Sequence, residues 1–502
     1  MQKSSLKLTG LVALLGLAYA LLFHHAELGL NLFLFDALLI GLVLFARPEL
    51  AKHQGFAWSV GGLLFAAGSV VIVHSAAAIL AHHLTYLLVL GFAQARELRF
   101  LWFGLLMGLE ALFAGPIRWF RGLVKSLHSE DAASVSRVWP WAKQVFIPIA
   151  VALPFLALYA SGNEKIGRGL DSLIYIFDNL SIGEAFWWSA FLAVFGFLLT
   201  LGMFFPRMGV SRLVRWQSSF ADHLRRDKQP NPDTPPLLQS FLSSHDSTGS
   251  AHRLRSRPKK MLALRGEYRQ AVLTFATLNL LLAVVNATDL RYVWLVTGEL
   301  SAATLSQYVH NSTGKLVCSI ILAMFVILYY FRRNLNFLRE GPHLAPLAKL
   351  WVAQNALLAL SVGVRNWHYV DAYGLAFGRV QIAFGLLLML FGLYTLFRKV
   401  RDRLTLSYLL QTNGMAAWLG LLLFAAVNWS GVITRFNLAT QTTEEIDWQY
   451  LRSHHLEDND FLLPSHQPGS MTYGRNWDLQ QPSYTDWRSW NYAEWRNLRE
   501  LE

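Results

Sequence analysis

Charged and polar positions in this chain fall in clusters, and between them run blocks in which almost every residue is apolar. Residues 9–23 (TGLVALLGLAYALLF) and 316–331 (LVCSIILAMFVILYYF) hold no charge. A helix needs about 20 mostly apolar residues to cross a hydrocarbon core of roughly 30 Å. Blocks near that length recur at 8–23, 28–46, 57–74, 76–93, 100–119, 144–161, 184–205, 270–287, 315–331, 347–365, 374–397 and 407–433. They are apolar around their circumference, whereas helices of a soluble domain keep a polar face. The pattern predicts an all-α, polytopic transmembrane helix bundle in two groups, with a C-terminal extramembrane tail. About eleven spans are expected, within a range of ten to twelve.

The range narrows when charge is added. Lys and Arg gather in short segments between apolar blocks, which is the distribution that sets orientation in a membrane. The segment 207–269 holds 13 Lys+Arg against 5 Asp+Glu. Arg332 and Arg333 follow one block, and Arg398, Lys399, Arg401 and Arg403 follow another. Placed on one side, the cytoplasm, these segments put the turns around 289–314 and 367–372 outside, and the final tail with them. Arg118, Arg121 and Lys125 also fall inside, so a cytoplasmic N-terminus requires an even number of crossings before Arg118. Five blocks precede it. One is then expected not to cross fully, and 76–93, with His82 and His83 within it, is the block chosen. The expected location is a bacterial inner (plasma) membrane.

Four segments follow from this reading: an N-terminal helix group (1–206), a basic flexible cytoplasmic loop (207–268), a C-terminal helix group (269–437) and a Trp-rich acidic extracytoplasmic tail (438–502). The loop contains PNPDTPP (230–236) and SSHDSTGSAHRLRSRPKK (243–260), a composition that buries no core. Two external stretches, 164–178 and 299–310, carry apolar residues at helical spacing and read as interfacial helices. The tail has 11 Asp+Glu, 5 Arg, no Lys and five tryptophans. Its end, WRSWNYAEWRNLREL, is expected to form one helix that packs back on the membrane domain or lies at the headgroups. Expected partners are membrane lipids and a protein reached through the loop or the tail. The net charge of +12 is accounted for by the segments between blocks, and no nucleic-acid recognition motif accompanies it.

Chemistry is sparse. The single cysteine, Cys318, excludes an intramolecular disulfide and a multi-cysteine metal site. No GxxxxGK[ST], HExxH or GxSxG is present, and no cofactor or metal is expected. Adjacent histidines point about 100° apart on a helix, unlike metal ligands on one face. The loop after the first block offers only Glu27, against the acidic loop of a membrane glycosyltransferase. Ionisable groups inside apolar blocks remain candidates because burying them is costly. These are Asp36, Glu110 and Arg379, with Gln381 beside the last. A carboxylate and an arginine pairing across helices would remove each other's burial cost. Asn279, Asn286, Asn355, Asn413 and Asn428 read as interhelical hydrogen-bonding groups.

The second half carries a longer pattern. Thr288-Asp289-Leu290-Arg291-Tyr292-Val293-Trp294 precedes an amphipathic stretch with Tyr308. Val364-Arg365-Asn366-Trp367-His368-Tyr369-Val370-Asp371-Ala372-Tyr373-Gly374-Leu375 and Arg379 come next, then Asn428-Trp429 and Ile433-Thr434-Arg435-Phe436-Asn437. Over roughly 265–450 this resembles the bacterial membrane family named domain of unknown function 4173, close to the related 4153 group. The resemblance implies a bacterial inner-membrane protein and no particular activity. Asp289, Arg291, Arg365, Tyr369, Asp371, Tyr373 and Arg435 fall near the external ends of spans, where they would form an outer-face polar cluster. That cluster suits a belt of ion pairs, or a site for an anionic headgroup or envelope precursor. Three functional readings result: a membrane scaffold, signalling or assembly component; a secondary transporter or channel using Asp36, Glu110 and Arg379; and a membrane-embedded lipid or polysaccharide enzyme.

Overall fold

A computed structural model describes residues 2–95, 97–127, 184–206, 214, 261–295, 302–331, 342–453 and 486–501. The block 144–161, the stretch 164–178 and most of the loop 207–268 lie outside the described residues. Within them the chain is helical, without a β-strand. Two compact units form. The first comprises Met1–Gln217, Leu421–Asn428 and Glu457–Glu502; the second comprises Ser218–Gly420 and Trp429–Leu456.

In the first unit run α1 (Gln2–Phe23), α2 (Leu30–Ala46), α3 (Gln54–Val73), α4 (Ala76–Phe92), α5 (Leu101–Leu127) and α6 (Glu184–Phe204). Helix α1 lies along α6, α3 along α4, and α4 along α5. The shared core holds Leu15, Leu39, Leu63, Leu88, Met107 and Leu201. The second unit runs α7 (Met261–Asp289), a π-helical segment (Leu290–Leu295), α8 (Ala302–Tyr330), α9 (Leu344–Tyr373), α10 (Phe377–Asp402), α11 (Leu406–Ala425, whose end belongs to the first unit), α12 (Trp429–Thr440) and α13 (Trp448–Ser453). Helix α9 is central and packs on α7, α8 and α10. Its core includes Phe275, Ile320, Ala348, Val362 and Leu393.

The outward faces are apolar as well. Leu17, Phe113, Leu280, Phe325 and Leu387 are all more than half exposed. Water would penalise such a surface, whereas lipid accepts it. Seven described helices are long and apolar enough to cross a membrane, and Lys7–Phe23, Leu30–Ala46, Ala76–Phe92 and Val317–Tyr330 form shorter apolar helices. The protein is a helical membrane bundle. Helix α4, the block chosen as incomplete, has 17 residues, as α2 does. Length therefore does not set it apart.

Two expected elements differ. The stretch 299–310 is not a separate interfacial helix, since α8 runs unbroken from Ala302 through the apolar block. No proline interrupts it, and Gly314 alone costs a helix only about 1 kcal/mol. The tail's end is not one helix across Trp487, Trp490 and Trp495. The last helix, α14 (Tyr492–Leu501), begins after Asn491. Asn491 is fully buried, accepts from the Glu494 amide at 2.8 Å and donates to Glu494 Oε2 at 3.1 Å. This reciprocal cap fixes the start of α14, leaving residues 486–491 in a non-helical path.

That path docks on the first unit, at the α1–α2 turn. The amides of Leu30 and Asn31 donate to the carbonyls of Trp490 and Arg488 at 3.0 and 2.8 Å. The Glu27 amide donates to Ser489 Oγ at 2.9 Å, and Arg488 Nη1 donates to the Leu21 carbonyl at 2.8 Å. The Arg488 guanidinium, hydrogen-bonded to Asp486, holds that carboxyl below the usual carboxylate range. A carboxyl lowered in the folded state stabilises above its unfolded pKa and loses that contribution as pH falls through the folded value. Docking should therefore be at full strength at neutral pH and weaken below about pH 4. The pair is partly solvated, so the loss should be modest. Hydrogen exchange of the Ser489 amide between pH 6 and 3, corrected for intrinsic rates, measures it.

Candidate functional site

Asp36 sits one and a half turns into α2, where the helix is otherwise apolar. It is almost fully buried, and Asp36 Oδ2 lies 2.7 Å from Nε2 of His82 on α4, also buried. The second ring nitrogen, His82 Nδ1, is buried without a hydrogen-bond partner. The His83 ring stands edge-on to His82 at 5.1 Å. One turn further along α4, Tyr86 donates its hydroxyl proton to the Leu199 carbonyl of α6 at 3.1 Å. Helices α2 and α4 of the first unit thus meet at two titratable groups in direct contact, one turn from the α4–α6 hydrogen bond. With the carboxylate ionised, a neutral imidazole leaves the pair at −1 and an imidazolium leaves it at zero. One proton therefore decides whether net charge is buried here. Sequence reading found Asp36 but set His82 aside as a poor metal ligand. The available signal was an ionisable ring inside an apolar block.

The other intramembrane candidates go elsewhere. Glu110 stays on its own helix, with Oε1 3.8 Å from Arg118 Nη1 and 40% of its side chain exposed. Arg118 also donates to the Phe205 carbonyl at 3.1 Å and to Gln94 Oε1 at 3.2 Å. Arg47 donates to the Met203 carbonyl at 2.7 Å, and Gln94 to the Gly202 carbonyl at 2.8 Å. The last carbonyls of α6, which have no intrahelical donor, are satisfied from α5, the α4–α5 connection and the end of α2. Lys399 does the same for α8, donating to the Phe331 carbonyl at 2.9 Å.

Arg379 follows that rule. It lies in the first turn of α10 rather than deep in a span, and donates back to the carbonyls of Tyr373 and Gly374, the end of α9. Its guanidinium stacks 4.2 Å from the centre of the Tyr369 ring. Gly374 has φ +73°, and a Cβ there would meet Asn437 Oδ1 and the Gln441 side chain. Asn437 receives the Leu375 amide at 2.5 Å and donates to the Leu375 carbonyl at 2.9 Å. The elements Tyr-x-x-Ala-Tyr-Gly-Leu…Arg and Asn437 therefore build one turn between α9 and α10. Gln381, in the next residues of α10, is exposed.

Of the expected outer-face cluster, Asp289 and Arg365 form a buried ion pair between α7 and α9. Trp294 donates to Ser361 Oγ at 3.1 Å, and His368 Nε2 lies 3.2 Å from the Val293 carbonyl, so the π segment is tied to α9. Tyr369 and Tyr373 contact each other and Arg379. Asn366 donates to the Arg379 carbonyl at 3.1 Å and links the two groups. Arg291, Asp371 and Arg435 are exposed. Among the described residues, no three His, Cys, Asp or Glu side chains gather where they could hold a metal ion.

No curated protein and no solved structure matches the chain. One family does, and it is the 4153 group rather than the 4173 family that the motifs suggested first. The match runs over residues 10–460, well beyond 265–450, and takes in the Asp36–His82 pair as well as the α9–α10 turn. The chain belongs to the family described as Domain of unknown function (DUF4153).

Proposed function

We propose that this integral membrane protein is a proton-linked secondary transporter, with Asp36 and His82 as its proton-binding pair. The observation that carries this reading is the direct contact of two buried titratable groups between α2 and α4. Such residues inside a span are costly and mark ion or proton paths. A pure helix tie would be served at lower cost by an amide, as Asn279 does by donating to the Leu347 carbonyl at 3.0 Å. Arg379 leaves the transport reading because its role is to cap α9. The scaffold reading placed partners on the loop and the tail, and the end of the tail is occupied by its own chain. In this proposal the protein lies in a bacterial inner membrane, N-terminus in the cytoplasm and tail outside, as the Lys and Arg distribution favours.

The test is proton movement across proteoliposome membranes that hold the purified protein. With an internal pH dye, Asp36→Asn and His82→Gln should each slow dissipation of an imposed pH gradient, and Glu444→Gln should leave it unchanged. Wild-type rates in both Asp36→Asn and His82→Gln would overturn the proposal.

A further inference from the structure

The docked tail supplies something that α2 cannot make for itself. The first amides of a helix have no intrahelical acceptor. At α2 the amides of Leu30 and Asn31 find theirs in the Trp490 and Arg488 carbonyls. The same segment serves the end of α1 through the Arg488 contact with the Leu21 carbonyl. The seat is closely built: Ser489, Asn491 and Ala493 are each at most 2% exposed, and α14 packs on α3. Gly29 makes it possible, because a Cβ there would run into the Ser489 carbonyl. Asn31, fully buried, completes the turn. Its amide group donates to the Leu22 and Glu27 carbonyls at 3.1 and 2.8 Å, and its oxygen receives the Gly29 amide at 2.8 Å. Asp36 follows five residues later, about 7.5 Å along the helix. The segment lies beyond the matched residues 10–460, an addition to the family's bundle.

We propose that residues 486–501 are a strap that closes over the α1–α2 turn and sets the seat of α2, and through it the Asp36–His82 contact. The effect on the pair deepens the transport reading, while the seating of α2 does not depend on it. A consequence concerns topology. A strap bound to the α1–α2 turn lies on the same side of the membrane as that turn, so the chain between them crosses an even number of times. Eleven apolar blocks follow the first. One of them must then turn back.

The experiment uses the full chain with a protease site inserted between 462 and 480, cut after purification. The fragment carrying the strap should stay bound, and the Leu30 and Asn31 amides should stay protected from hydrogen exchange. Asn491→Leu, which removes the cap of α14, should speed exchange at both amides roughly tenfold or more. It should also shift the His82 imidazole signals and leave those of His343, in the second unit, unchanged. Asn491→Ser, which keeps a neutral capping oxygen, should leave both closer to wild type. Loss of the fragment with no change at Leu30 and Asn31 would overturn the strap. Changed exchange with unchanged His82 signals would overturn its action on the pair. On a Cys318→Ser background, cysteines at Ala26 and Gln480 should label from one side of the membrane, and labelling from opposite sides would also overturn it. Unchanged dissipation of the pH gradient in Asp36→Asn and His82→Gln would sink the transport reading alone, because the exchange result stands without it.

Discussion

Asp289→Ala is expected to destabilise the second unit by about 3–5 kcal/mol, the usual cost of removing one partner from a buried ion pair. Both side chains are only 8% exposed, and the pair joins α7 to α9, around which the unit is organised. The alanine leaves a guanidinium buried beside apolar helices without its carboxylate. Arg365→Met has the mirror effect, leaving a buried carboxylate. The double variant Asp289→Ala/Arg365→Met buries neither charge and should recover most of the loss. A double-mutant cycle in micelles, read by thermal or denaturant unfolding, gives the coupling directly. Two losses that simply add would mean that the pair does not hold α7 to α9. The function assigned to Asp36 and His82 should survive in the double variant, because those residues belong to the other unit.

The contrast between Asp36 and Glu110 shows what a sequence carries of a membrane fold and what it does not. The membrane class was legible because uncharged blocks near 20 residues long have few other uses. The α9–α10 turn was legible as a pattern, since a glycine at positive φ, an arginine one turn on and a distant asparagine must recur together for that turn to close. Partner choice was not legible. A helix that is apolar all round offers no face by which to infer its neighbours. Asp36 and Glu110 look alike in sequence, each alone among apolar residues, yet one is 1% exposed and the other has 40% of its side chain exposed. Which helix lies alongside decides the difference. Arg379 was misread for a related reason, as its burial cost is met by carbonyls at a helix end, which have no signature of their own. The tail's docking left still less trace. Its contacts with Leu30 and Asn31 are made by backbone atoms more than 450 residues away in sequence. Only Gly29, where a side chain would block the approach, hints at it.

Gly91 and Gly108, on α4 and α5, should separate sharply from Gly41, Gly61 and Gly68, on α2 and α3, when each is enlarged. Gly104 and Gly108 form a small-xxx-small pair, the spacing that lets membrane helices approach at backbone distance. A Cβ on Gly108 would run into the Leu87 carbonyl, and one on Gly91 into the Gly104 carbonyl. Both obstacles are backbone, so no rotamer change relieves them and the two helices must move apart. Gly108→Val should therefore cost about 1–3 kcal/mol or more by overpacking, and even Gly108→Ala should be destabilising. Gly41, Gly61 and Gly68 meet nothing within 4 Å, so alanine there should be neutral or stabilising by up to about 1 kcal/mol through helix propensity. Unfolding measurements on the two sets would show opposite signs. The consequence reaches the pair, because Leu87 lies five residues beyond His82 on α4. Pushing α4 away from α5 must tilt or shift the helix that presents His82 to Asp36. Gly108→Val should thus alter the His82 imidazole signals as well as stability, whereas Gly61→Ala should leave the His82 signals in place. If Gly108→Val left His82 untouched, α4 would not be the rigid carrier of His82 that the Asp36 contact requires.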